Sequence, residues 1–219
     1  MLLNQDGEAF TTDPFFNADF IKNNKIKTIK GAYSFKKNKD LIRKVPGSYT
    51  YEFNKKGRLS ACIDIRWNGK TLDTTLQFYE YNELGTIISL KKSENNGITL
   101  QEFHRDSLNR IISTSNYRVI LNENDEIVKK NEMNTETMRY SNEKKTTYNS
   151  YNLPYLISYD NYNEDGYKTS SIDKLKMGGT IYKKKYDYNN KGLLISIETF
   201  YDTHPDPVEE LKFKYDGFG

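Results

Sequence analysis

The chain has 219 residues and carries 33 Lys and Arg against 30 Asp and Glu, a formal charge of +3 with both signs interspersed. That mixed distribution excludes the clustered basic footprint of a nucleic-acid binder, and no apolar run reaches the roughly 18–20 residues of a membrane-spanning helix. Apolar and aromatic residues reach only 36%, yet 18 of them are Tyr and 11 are Phe, while Ala stands only at positions 9, 18, 32 and 61. Strands favour aromatic residues and helices favour Ala, so the composition points to an all-β chain. The opening residues, Met1-Leu2-Leu3-Asn4-Gln5-Asp6, lack the basic and apolar regions of a signal peptide. Either the chain is not exported or its leader has been removed. Cys62 is alone, so no internal disulfide forms.

In chain order, Asp13-Pro14 reads as an N-cap followed by a first-turn proline. It predicts a short helix over 14–22 that buries Phe15, Phe16, Phe20 and Ile21. Ile26, Thr28 and Gly31–Phe35 then predict a first strand. Alternating Tyr49, Tyr51 and Phe53 lead into Asn54-Lys55-Lys56-Gly57, and alternating Leu59, Ala61, Ile63, Ile65 and Trp67 follow it. This period of two marks strands with one buried face.

The pattern around Gly57 recurs: an aromatic residue, Asn or Asp, two free residues, Gly, one free residue, an aliphatic residue. Clear copies carry Asn82 and Gly85, Asn163 and Gly166, and Asn189 and Gly192. Degenerate copies carry Asp106 and Asn109, Asn122 and Asp125, and Asn149 and Asn152, and the chain ends on Asp216 and Gly219. Asn or Asp opens a turn by capping the local backbone, and the fourth position needs a left-handed conformation. Gly adopts it freely, and Asn and Asp are the residues that tolerate it next best. The spacing therefore predicts bulged hairpin turns. The glycine-equivalent positions lie 28, 24, 16, 27, 14, 26 and 27 residues apart. The usual gap holds two strands of eight to ten residues and two turns. Second turns are expected at Asn68-Gly69, Asn95-Asn96-Gly97 and Gly178-Gly179. Short gaps and polarity over 131–145 predict short strands or mobile loops there.

The expected fold is all-β: an antiparallel hairpin meander of about a dozen strands, forming a curled open sheet or partial shell behind a short N-terminal helix. Residues 1–48 supply the helix and leading strand, and residues 49–219 the repeats, within one structural domain. The chain stops inside a turn, so the natural protein is expected to continue past Gly219 or to have been trimmed there.

The repeated Tyr-(Asn/Asp)-X-X-Gly-X-(Leu/Ile) motif over 49–219 resembles the YD, or Rhs-type, repeat. That resemblance implies a β-hairpin array of bacterial envelope or secreted proteins: a non-catalytic scaffold or protein-interaction module, periplasmic, outer-membrane-associated or extracellular, its leader absent from this chain. Long members enclose cargo in a spiral shell. This chain has Asn where the signature usually has Asp, and seven or eight units favour an open sheet.

Catalytic signals are sparse. His104 and His204 stand on different repeats without clustered ligands, so neither a metal nor another cofactor is expected. His104-Arg105-Asp106 mimics a kinase triplet, but the Asn needed five residues beyond the Asp is Ile111. Cys62 alternates with Ala61 and Ile63 and reads as a small packed residue. An enzyme would need His104 or His204 to meet carboxylates in a pocket. The Tyr-rich strands leave two further readings. Tyr49, Tyr51, Tyr81, Tyr186 and Tyr188 form a cross-strand ladder, or exposed rings, with Trp67, Tyr79 and Tyr182 as candidates, stack on a surface glycan. The partner is then a protein or a glycan. The sequence does not set the oligomeric state.

Overall fold

The computed structural model describes residues 16–215 except 38, 40, 95, 143, 202 and 203. The chain divides into two compact units, Phe16–Thr135 and, among the described residues, those from Glu136 onward. The N-terminal unit holds the helix α1 (Ala18–Asn23) and the strands β1 (Thr28–Phe35), β2 (Arg43–Phe53), β3 (Leu59–Trp67), β4 (Leu72–Tyr81), β5 (Ile87–Glu94), β6 (Gly97–Arg105) and β7 (Ile111–Leu121). The boundary falls inside β8 (Ile127–Ser141). The C-terminal unit continues with β9 (Lys144–Tyr148), β10 (Pro154–Tyr162), β11 (Lys168–Leu175), β12 (Thr180–Tyr188), β13 (Leu194–Phe200) and β14 (Glu209–Lys212). The expected antiparallel meander is observed: among the described residues 14 strands are hydrogen-bonded in sequential order, with β1 and β14 at the ends of that order.

The helix starts later than the Asp13-Pro14 signal implies. Asn17 is its N-cap, and the Asn17 side chain accepts the Phe20 amide at 2.9 Å. Capping satisfies one of the orphan donors of the first turn. Asp13, Pro14 and Phe15 lie outside the described residues. Ile21 is buried with Phe53 and Leu59, and Phe16 joins the same cluster. Phe16 meets the Phe53 and Tyr51 rings edge-on at 4.9 and 5.0 Å. Phe20, expected to be buried, points to solvent.

Seven signature turns share one geometry. The amide of the opening Asn or Asp donates to the carbonyl four residues on, and the amide of the fourth residue donates back to the opener, all at 2.9–3.1 Å. In the first turn the Asn54 carboxamide oxygen also accepts the amides of Lys56 and Arg58. The fourth residue is left-handed every time: φ is 80° at Gly57, 89° at Gly85, 63° at Asn109, 61° at Asp125, 57° at Asn152, 80° at Gly166 and 74° at Gly192. The eighth turn, with Asp216 and Gly219, lies outside the described residues.

The irregular gaps have a topological cause. A gap near 26 spans two strands and returns the next signature turn to the same end of the sheet. The gaps of 16 and 14 each span a single strand, β7 and β10 respectively. In the N-terminal unit the 122–125 turn therefore sits at the end opposite the 106–109 turn. In the C-terminal unit the 149–152 turn sits opposite the 163–166 turn. The non-signature turns occupy the remaining positions. Asn68 opens a four-residue connection between β3 and β4, wider than a two-residue hairpin, with its side chain accepting the amides of Lys70 and Thr71.

The polar middle is not a set of loops. β8 has 15 residues and is the longest strand described; within this stretch β9, with 5, is the short one. Polar strands persist where side chains pair across the ladder instead of seeking a dry face. Thr135 donates to Ser115 and Asn116 to Asn134, each at 2.9 Å. Lys130 lies 3.9 Å from the Tyr117 ring centroid.

Strand alternation predicts one buried face, but the strands are partly covered on both. Ala61 and Cys62 are neighbours facing opposite sides, and both are buried; so are Thr114 with Ser115 and Leu193 with Leu194. Small residues are shielded by large ones opposite: Phe78 faces Ala61, and Tyr51 and Gln77 face Cys62. Most tyrosines remain half-buried, which gives their hydroxyls access to polar partners.

Candidate functional site

The signature residues form ties between adjacent strands and turns. The Tyr81 hydroxyl donates to the Leu59 carbonyl at 2.7 Å, Tyr188 to Lys168 at 3.0 Å, and Tyr215 to Leu194 at 2.6 Å. Tyr81 and Tyr188 each precede one turn and reach the strand that follows the previous turn, and Tyr215 likewise reaches the strand that follows the 189–192 turn. Arg105 replaces the aromatic residue in the degenerate copy, and its guanidinium reaches the Asn109 carbonyl at 2.9 Å instead. After three of the turns the next residue reaches forward as well. Arg58 lies against Gly85 and 5.7 Å from the Tyr81 ring centroid, Thr86 donates to the Asn109 side chain at 3.1 Å, and Tyr167 lies against Gly192.

The ring-stacking candidates do not make a row. In the N-terminal unit the register puts Trp67 on the same face as Phe78 and therefore opposite Tyr79. Trp67 is 46% exposed at the end of β3. Tyr79 is half-buried and donates to Gln77 at 3.1 Å. It lines a shallow hollow of about 610 Å³ with Lys55, Lys56, Arg58 and Tyr81. Tyr182, in the C-terminal unit, is held as a neutral phenol: burial and then its hydrogen bond to Asp173 push its pKa up to about 12. Tyr49, Tyr51, Tyr81, Tyr186 and Tyr188 are all half-buried. Tyr33, Tyr49 and Tyr51 contact in series, with centroids 5.5 and 5.3 Å apart.

His104 is exposed on β6, where the strand runs into its turn. Cys62 is buried, and desolvation, then Asp64, raises its thiol pKa. Among the described residues no three His, Cys, Asp or Glu side chains gather as metal ligands, and no helix is long and apolar enough to cross a membrane.

His204 stands in different company from the carboxylates an enzyme would need. It lines a groove of about 360 Å³ with Ile172, Lys174, Thr180, Lys183, Lys185, Phe200, Tyr201 and Pro205. The register explains the gathering: Ile172 pairs with Lys183, and Lys183 with Phe200, so the three share one face of β11, β12 and β13. Lys185 lies 4.8 Å from the Phe200 centroid, and Lys174 lies 5.9 Å from that of Tyr159. Tyr182, one residue out of phase with Lys183, belongs to the opposite face. Sequence reading missed this site because its lysines come from separate strands and align only through the register.

Fold and turns together define an antiparallel β-hairpin repeat protein. No family model matches the chain, and no curated protein matches it. Among solved structures it is similar to a porin-like protein from Bacteroides uniformis, with 12% identity over 79% of this chain and 88% of that one and a TM-score of 0.40. It is also similar to TcdB2-TccC3 without its hypervariable C-terminal region, with 15% identity, a TM-score of 0.31, and coverage of 88% of this chain and 11% of that one. A Photorhabdus luminescens Tc holotoxin pore gives 11% identity over 78% of this chain and 14% of that one, with a TM-score of 0.19. The chain thus spans a small part of the toxin chains' length.

Proposed function

We propose that the protein is a non-catalytic scaffold of the YD-repeat kind, exported to the bacterial envelope or exterior, where it presents a protein-interaction surface. The observation that carries this reading is the repeated tie between consecutive units, in which Tyr81, Tyr188 and Tyr215 each lock onto the preceding strand. Such an array is built by nearest-neighbour contacts, so its length is adjustable and its surface extended. Strand edges provide docking by strand addition.

Excision of residues 58–85 tests the scaffold reading. The cut removes one whole turn-to-turn unit, β3 and β4, and joins Gly57 to Thr86, preserving the bulge shared by the Phe53–Leu59 and Tyr81–Ile87 pairs. A repeat scaffold remains folded with the same β-type circular dichroism and a smaller denaturant m-value. Loss of cooperative unfolding in the excised protein would contradict it. Fractionation and surface proteolysis of cells producing the full-length natural protein test the location; confinement to the cytosol would overturn the envelope assignment.

A further inference from the structure

We propose that the groove across β11, β12 and β13 binds an anionic saccharide, a sugar ring carrying a carboxylate or a sulfate. Lys174, Lys183 and Lys185 bring three ammonium groups to one groove. Among the described residues, none of the three makes an ion pair. Glu198 stands opposite Lys185 in the register and leaves the other two lysines unopposed on β11 and β12. Phe200, Tyr201 and Ile172 supply apolar surface for the face of a ring, while Thr180 and His204 supply hydrogen-bonding groups for hydroxyls.

The walls are partly fixed. Pro205 and Pro207 restrict the backbone between His204 and Val208. The His204 amide donates to Tyr201 at 3.0 Å, and the Val208 amide donates to Thr199 at 2.8 Å. The volume suits a compact ligand. An extended acidic peptide would gain its affinity by adding to a free strand edge, whereas β11, β12 and β13 are each paired on both sides. The groove therefore favours a ring with a charge over a strand with charges. This proposal stands apart from the scaffold reading and its excision test.

The test is calorimetric titration of the full chain with a trigalacturonate, a sulfated disaccharide and neutral maltotriose. Either anionic sugar should bind, more weakly as salt rises, and the neutral sugar should not. The double variant Lys183→Gln/Lys185→Gln should weaken binding about tenfold. Lys91→Gln/Lys92→Gln, with the same charge change in the N-terminal unit, should leave it unchanged. Should the double variant fail to fold, Lys174→Gln and Tyr201→Ala, each checked by circular dichroism, carry the same expectation. No binding of either anionic sugar at millimolar concentration, equal binding of maltotriose, equal weakening by the Lys91/Lys92 pair, or equally good competition by polyglutamate would each overturn the assignment.

Discussion

The hydroxyl of Tyr81 donates a 2.7 Å hydrogen bond to the carbonyl of Leu59, so the residue that announces one turn holds the strand that leaves the turn before it. Tyr188 and Lys168 repeat the relationship in the C-terminal unit. Removing only the hydroxyl isolates its contribution. Tyr81→Phe and Tyr188→Phe should each lower stability by about 1 kcal/mol in urea denaturation. An unchanged midpoint in both variants would show that the tie adds nothing to stability.

Left-handed glycines in the turns have two separable reasons. Gly57 and Gly69 are both left-handed, with φ of 80° and 100°. A Cβ on Gly57 would collide with the Ala18 backbone carbonyl, whereas one on Gly69 would meet nothing within 4 Å. Gly69→Ala should therefore cost only the backbone strain, about 1 kcal/mol. Gly57→Ala should cost about 2–4 kcal/mol, because α1 has to shift as well. Equal losses in thermal or chemical denaturation would refute the packing role of α1.

Asp125 occupies the same left-handed conformation, at φ 61°. Asp125→Gly should hold or raise stability, by up to about 1 kcal/mol, while Asp125→Ala should lower it by a similar amount. The order of the two midpoints decides the point, and Ala equal to or above Gly would count against it.

Alkaline titration should destabilise the C-terminal unit. Tyr155 and Tyr182 both have pKa values raised from 10.0 to about 12, in each case by burial first and then by a carboxylate acceptor, Glu136 or Asp173. The folded state holds these protons more tightly than the unfolded chain. Their contribution is complete below pH 10 and is lost as pH rises from there through about 12. Asp173→Asn should lower the Tyr182 value only part of the way, since burial is the larger cause. Phenolate absorbance against pH reads both effects, and a Tyr182 that titrates normally in the intact protein would be the contrary result.

Cys62 should react with thiol reagents only through opening of the sheet, because it is 6% exposed and its thiolate is disfavoured by burial. Its labelling rate should rise in parallel with the unfolded fraction as urea is added. Rapid labelling in native buffer would place it at an accessible surface.

Much of this protein is local, and local features were legible. Turn chemistry needs only the few residues from the opening Asn or Asp to the left-handed fourth position, and each of the seven described turns forms where that pattern stands. Aromatic and β-branched alternation marked the strands around them for the same reason. The N-cap was misplaced because Asp13-Pro14 is a good local signal, while the helix is set by Ile21 and Phe16 packing on Phe53 and Leu59. The long polar β8 was hidden because its support comes from Ser115 and Asn116 on another strand.

The sequence by itself determined the turns, the antiparallel direction they impose and the β class, since each follows from backbone preferences of neighbouring residues. Tertiary structure decided which residues meet: whether a turn lies at one end of the sheet or the other, which glycines are crowded, and that Lys174, Lys183 and Phe200 face the same groove. Those outcomes depend on strand register, and a one-residue slip would send each side chain to the opposite face.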